Sequence, residues 1–195
     1  LDKAKGADLA IFPELFTLSL FTTLDDWQNR PVAELTAVDR YTKAYRDLFA
    51  SEAKARGQYI VAGSHLEKRR GRYLNVCYVY GPNGLVHEHE KTHIFPAESQ
   101  WNTSEGTKME AFDLPFVRTG INICYVHCAT GGDMPKGPLP NGWTRSSILS
   151  PCDTPWAAPN GVVAEARTNV EMVVRGEIDL DVLHLNRKNG VAPTY

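Results

Sequence analysis

The chain has 195 residues and a mass of 21.7 kDa, with 43% hydrophobic and 23% charged residues. Those proportions are ordinary for a soluble globular protein and exclude collagen-like, mucin-like and disordered classes. Twenty-one Lys and Arg stand against 23 Asp and Glu, a net charge of −2, so nothing in the balance favours nucleic acid. No apolar run approaches the ~20 residues that span a bilayer, and no charged segment followed by an apolar one marks a secretory signal. Neither a nucleic-acid nor a membrane partner is therefore expected. Cys77, Cys124, Cys128 and Cys152 are too few for a disulfide scaffold, which points to a reducing, cytoplasmic setting. The first residue is Leu1, and residues 1–5 read as the last turn of a helix, so the native N-terminus is expected upstream.

Leu9-Ala10-Ile11-Phe12, between Gly6 and Pro13, reads as a short strand buried on both faces. From Pro31 to Arg56 the apolar spacing is helical, and Gly57 supplies the stop. Tyr59 to Ser64, Tyr73 to Tyr80 and Leu85 to Glu90 read as strands, the last two joined by the turn Gly81-Pro82-Asn83-Gly84. Lys68-Arg69-Arg70 and Arg72 read as a solvated hairpin turn. A loop is expected from Ile94 to Gly106, with strand-like segments at Ala111–Leu114 and Gly120–Tyr125. Residues 131–160 are rich in Pro and Gly and read as irregular chain. Gly161–Ala166 and Val170–Ile178 then read as a closing hairpin, and Asp179 as the N-cap of a helix to Arg187. The order of elements makes this an α/β protein.

Three segments place a reactive side chain directly after a buried strand: Phe12-Pro13-Glu14, Glu90-Lys91-Thr92 and Ile123-Cys124-Tyr125. Together they supply a definite chemistry. A cysteine thiolate attacks a carbonyl or nitrile carbon, a carboxylate moves the thiol proton to the leaving amine, and an ammonium stabilises the oxyanion.

The segments Ala7-Asp8-Leu9-Ala10-Ile11-Phe12-Pro13-Glu14-Leu15-Phe16, His89-Glu90-Lys91-Thr92-His93-Ile94-Phe95-Pro96 and Gly120-Ile121-Asn122-Ile123-Cys124-Tyr125 closely resemble the carbon–nitrogen hydrolase (nitrilase) superfamily, in its amidase-like branch. The resemblance implies that Glu14 is the general base and acid, Lys91 the oxyanion stabiliser and Cys124 the nucleophile. Family members often use a second Glu in the loop after the Lys, which implies Glu98, with Glu105 as the less favoured choice. Asn141–Ser147, Ser150–Asp153 and Asn160–Ala166 resemble the late strands of the family. The implied fold is an α-β-β-α four-layer sandwich, with residues 1–195 as a single partial domain of this type. The implied activity is hydrolysis of a non-peptide C–N bond in a small amide, nitrile or carbamoyl substrate through a Cys thioester. No cofactor is implied. Members pair through a helical face, so a homodimer or larger homo-oligomer is expected. One departure stands out: Cys124-Tyr125 runs directly into Val126-His127-Cys128-Ala129-Thr130, and the family's helix, core strand and Arg-Ala-x-Glu-Asn segment are absent between them. That gap raises the alternative of an inactive remnant that binds ligands or partners.

Other chemistries have less support. His87 and His89 share one side of a strand and His93 lies beyond it, but no paired ligand motif such as Cys-x-x-Cys accompanies them, so no metal site is expected. There is no Gly-rich phosphate loop and no Gly-x-Ser-x-Gly elbow. Trp27, Trp101, Trp143 and Trp156 lie in loop-like stretches and are expected to serve packing.

Overall fold

The computed structural model describes residues 1–118, 145–150 and 160–189. These residues form two compact units, residues 1–110 in the first and the remainder in the second.

The first unit is built on a sheet in the order β1 (Leu9–Ile11), β2 (Tyr59–Arg69), β3 (Arg72–Gly81), β4 (Gly84–Glu90). β1 runs parallel to β2, and β2, β3 and β4 are antiparallel neighbours. β5 (Thr103–Ser104) pairs in parallel with Tyr73–Leu74, along the edge of β3 beyond the reach of β4. The α/β class expected from the sequence is the one observed. Helix α1 (Thr42–Arg56) lays Tyr45, Phe49 and Ala53 on one sheet face, against Ile60, Ala62, Leu74, Val76, Tyr78 and Tyr80. Gly57 ends it in the left-handed conformation at φ 62°. A second cluster joins Leu18, Phe21, Leu24, Leu35, Val38, Leu66 and Trp101. Trp101 is thus a packing residue, and Trp27 lies partly buried against the same cluster.

Three elements of this unit differ from the sequence reading. The Pro31–Arg56 segment is not one helix: Val32–Tyr41 winds as 3₁₀ before α1 begins. The apolar spacing explains this, since Leu35, Val38 and Tyr41 recur every three residues whereas Tyr45, Phe49 and Ala53 recur every four. The Ile94–Gly106 stretch contains a 3₁₀ turn at Glu98–Trp101 and the short β5. Arg69 is not solvated, because the strand pleat turns it inward. It pairs with Glu67, with Glu88 at 2.9 Å and with Glu90 at 3.1 Å, and donates to the Tyr78 hydroxyl at 2.5 Å. Arg70 and Gly71, both at positive φ, make the hairpin turn.

In the second unit, β6 (Asp113–Leu114) pairs with β7 (Val117–Arg118), and β8 (Ser147–Leu149) with β9 (Val162–Glu165). The closing hairpin expected from the sequence is therefore corrected. Residues 170–178 form no strand, and the partner of β9 comes from the Pro- and Gly-rich stretch that read as irregular. Helix α2 (Leu180–Asn189) is capped as expected: Asp179 Oδ1 accepts the N–H groups of Asp181 and Val182, both at 3.0 Å. The strand expected at Gly120–Tyr125 lies outside the described residues, as do Cys128 and Cys152.

Candidate active site

Glu14 stands where β1 leaves the sheet, and both flanks of its loop are pinned. Phe12 packs edge-on against Phe49 with ring centroids 5.0 Å apart, and Phe16 meets Phe49 at 5.8 Å and Tyr45 at 6.2 Å. Between these anchors a bulge in β2 grips the backbone. The register shifts between Val61 and Ser64, Ser64 N–H donates to the Pro13 carbonyl at 3.3 Å, and Ser64 Oγ accepts Leu15 N–H at 2.8 Å. Gly63 makes this approach feasible. It holds φ +70°, and a Cβ there would sit 2.3 Å from the Pro13 carbonyl oxygen. Next along β2, His65 is fully buried. Its Nδ1 meets Thr17 Oγ1 and its Nε2 meets Thr42 Oγ1, each at 2.9 Å, tying the Glu14 loop to the start of α1.

Lys91 ends β4. Its N–H donates to the Asn75 carbonyl at 2.9 Å, and its own carbonyl accepts Gly106 N–H at 2.8 Å, so both sides of the backbone are held. The Nζ lies 2.9 Å from Glu14 Oε1 and 2.7 Å from Glu98 Oε2. Glu98 opens the 3₁₀ turn and its side chain is 3% exposed, against 45% for Glu14. Its Oε2 also accepts Phe95 N–H at 2.6 Å while its own N–H returns to the Phe95 carbonyl at 2.8 Å, a reciprocal cap that fixes the carboxylate. Burial alone would draw the Lys91 pKa down. The hydrogen bonds to Glu98 and then Glu14 outweigh it and hold the ammonium above the ordinary lysine value.

Three of the four sequence candidates, Glu14, Lys91 and Glu98, are thus brought into contact. Cys124 lies outside the described residues. Glu105 does not reach Lys91's ammonium among the contacts observed; its Oε1 accepts Ile94 N–H at 3.3 Å. His87 and His89 line β4 opposite Val79 and Cys77, and the described residues hold no cluster of three metal-ligating side chains. Cys77, two residues from Asn75 in β3, is a poor nucleophile. Burial, with Glu14's negative charge adding to it, pushes its thiol up to about 12. Sequence reading missed Asn75, whose amide Nδ2 donates to Glu14 Oε1 at 2.9 Å. The signal was a lone amide inside the apolar run Tyr73-Leu74-Asn75-Val76-Cys77, where strands rarely carry one.

The Carbon-nitrogen hydrolase family model matches residues 2–129, more than half of the chain. The chain belongs to the carbon-nitrogen hydrolase family. Among curated proteins this family member is 26% identical over 235 residues to "Probable hydrolase YhcX" of Bacillus subtilis (strain 168), covering 94% of this chain and 45% of that protein. It is 30% identical over 131 residues to omega-amidase NIT2-B of Xenopus laevis, covering 62% of this chain and 44% of that one. The chain spans a little under half the length of these relatives. A solved carbon-nitrogen hydrolase from Helicobacter pylori G27 superposes with a TM-score of 0.46 at 18% identity, over 60% of this chain and 39% of that one.

Proposed function

We propose that this carbon-nitrogen hydrolase is of the amidase type and cleaves the non-peptide C–N bond of a small amide, nitrile or carbamoyl compound. The observation that carries the reading is Lys91 held at 2.9 and 2.7 Å between Glu14 and Glu98, at the mouth of the sheet. Cys124 supplies the nucleophile in this reading. Glu14 takes the thiol proton as sulfur adds to the carbonyl carbon, and the Lys91 ammonium receives the negative charge that develops on oxygen. Collapse of the tetrahedral intermediate breaks the C–N bond, Glu14 hands its proton to the departing nitrogen, and ammonia leaves a thioester. Water then adds to the thioester with Glu14 again as base, releasing the acid and the thiol. Glu98, buried and doubly anchored, keeps the Lys91 ammonium charged and aimed throughout. Similarity to omega-amidases favours amides as the substrate class. No cofactor takes part. The family resemblance further implies a homo-oligomer, the low cysteine count favours a reducing, cytoplasmic setting, and no helix among the described residues is long and apolar enough to cross a membrane.

The test is ammonia release from a panel of short aliphatic amides. Lys91→Ala and Cys124→Ala should each abolish it, and retained turnover in either variant overturns the assignment. A second reading, an inactive binding or oligomerisation remnant, is favoured by one observation. The alignment to YhcX runs over 235 positions against the 195 residues of this chain, so dozens of aligned positions of that relative have no counterpart here.

A further inference from the structure

Asn75 is 2% exposed at the centre of β3. Its Nδ2 donates to Glu14 Oε1 at 2.9 Å and lies 3.5 Å from Glu98 Oε1. Lys91 Nζ contacts the same two carboxylates, through Glu14 Oε1 and Glu98 Oε2. Amide and ammonium therefore bridge one pair of carboxylates side by side, and the Asn75 carbonyl accepts Lys91's backbone N–H. Asn75 Oδ1 is buried with no hydrogen-bond partner among the described residues. Turning the amide over would set Oδ1 against two carboxylate oxygens, acceptor facing acceptor. The orientation is thus dictated by the carboxylates even though it strands the carbonyl, a cost that a purely space-filling residue would not carry.

We infer that Asn75 is a positioning residue of this site: its N–H group ties the exposed Glu14 to the buried Glu98, so that Lys91 meets both carboxylates in a single geometry. The inference rests on the reading of Glu14 and Lys91 as the acid–base and oxyanion groups. Glu14 is the more exposed partner, whereas Glu98 is fixed by the Phe95 cap. Without the Asn75 N–H, the Glu14 carboxylate keeps only Lys91 as a hydrogen-bond partner among the described residues.

Asn75→Leu keeps the number and branching of the side-chain heavy atoms and deletes the donor, and Asn75→Ala is a smaller second variant that also lacks it, in case the first fails to fold. Both are compared with the wild type in the full chain, on two readouts. With propionamide as substrate, kcat should fall about tenfold to a hundredfold, the scale of a misplaced catalytic group, while KM stays within twofold. Limited acetylation with acetic anhydride, followed by peptide mass spectrometry, should show Lys91 reacting several-fold faster, because its ammonium is less firmly held. Lys43 and Lys68 serve as unchanged internal controls. Wild-type acetylation of Lys91 in both variants overturns the inference, even with a lowered kcat, because a packing defect alone gives that pattern. A wild-type chain without any turnover defeats the catalytic reading, and the acetylation still decides the role of Asn75.

Discussion

Lys91 sits between two carboxylates of unlike burial, and the roles proposed for them follow that difference. Glu14 is nearly half exposed, whereas Glu98 is enclosed and its carboxylate meets only Lys91, Asn75 and the Phe95 N–H among the described residues. Removing the ammonium leaves Glu98 as a buried charge without a counter-ion. Lys91→Ala should therefore cost about 3 kcal/mol of stability in addition to turnover. The double variant with Glu98→Gln should recover most of that stability and none of the activity, a cycle read by urea unfolding and ammonia release. Additive losses would show that the pair is not coupled. Glu98→Gln alone should lower kcat about tenfold or more, and Glu105→Gln should leave it within twofold. An unchanged rate in Glu98→Gln, with a loss in Glu105→Gln, would move the supporting role to Glu105. The sequence carried Glu14 and Lys91 plainly because each follows a strand in a recognisable motif. It favoured Glu98 over Glu105 only through the family resemblance, because which loop carboxylate turns inward depends on the 3₁₀ turn after Pro96. Asn75 stands out in the sequence only as a lone amide in an apolar strand, and its role depends on which side of the pleat faces Lys91.

The elements that carry these residues were legible to the extent that local patterning makes them. β1, the β3–β4 hairpin, the Gly57 stop and the Asp179 cap all follow from spacing or turn chemistry within a few residues. β8 did not, since three residues inside a Pro- and Gly-rich stretch become a strand only through pairing with Val162–Glu165. The β2 bulge also escaped notice, although it positions Glu14. Gly63→Ala tests it against Gly57→Ala, since both glycines hold positive φ but only Gly63 has neighbours within 4 Å of the added carbon. Gly57→Ala should cost about 1 kcal/mol, the backbone strain alone. Gly63→Ala should cost about 1–3 kcal/mol more from crowding and should depress kcat, as the Pro13 carbonyl is driven away. Equal losses would mean that the close approach is not structural. His65, on the same bulged strand, sets a pH limit. Burial pushes its imidazole down to about 4, against a smaller opposing pull from Glu67 and Asp39. The unfolded chain takes up that proton near pH 6.5, so between the two values the unfolded state binds more protons and stability falls as pH falls. The loss reaches about 3 kcal/mol by pH 4. His65→Gln keeps polar partners for Thr17 and Thr42 but does not titrate, so its unfolding free energy should fall less steeply between pH 6.5 and 4.5. Parallel slopes would remove His65 as the cause.

For the molecule as a whole, the question is whether a chain that spans under half of its curated relatives assembles a working centre around Cys124. The thiols themselves answer it, without any knowledge of the substrate. Cys77, with its thiol raised to about 12, is almost wholly protonated at neutral pH, so its alkylation should be slow and should rise about tenfold per pH unit through the alkaline range. A cysteine activated by a carboxylate and an ammonium behaves in the opposite way, reacting quickly near neutrality and gaining little from added base. Iodoacetamide labelling at pH 6.5 and at pH 8.5, followed by peptide mass spectrometry, should therefore modify Cys124 at rates within about threefold of each other if the centre is assembled. Lys91→Ala should restore a rise of more than about tenfold across that range, because the ammonium that favours the thiolate is gone. A rise of more than about tenfold at Cys124 in the wild type would mean that Glu14, Lys91 and Glu98 form their cluster without activating a nucleophile. The chain would then be a binding remnant that retains the charged half of a hydrolase site.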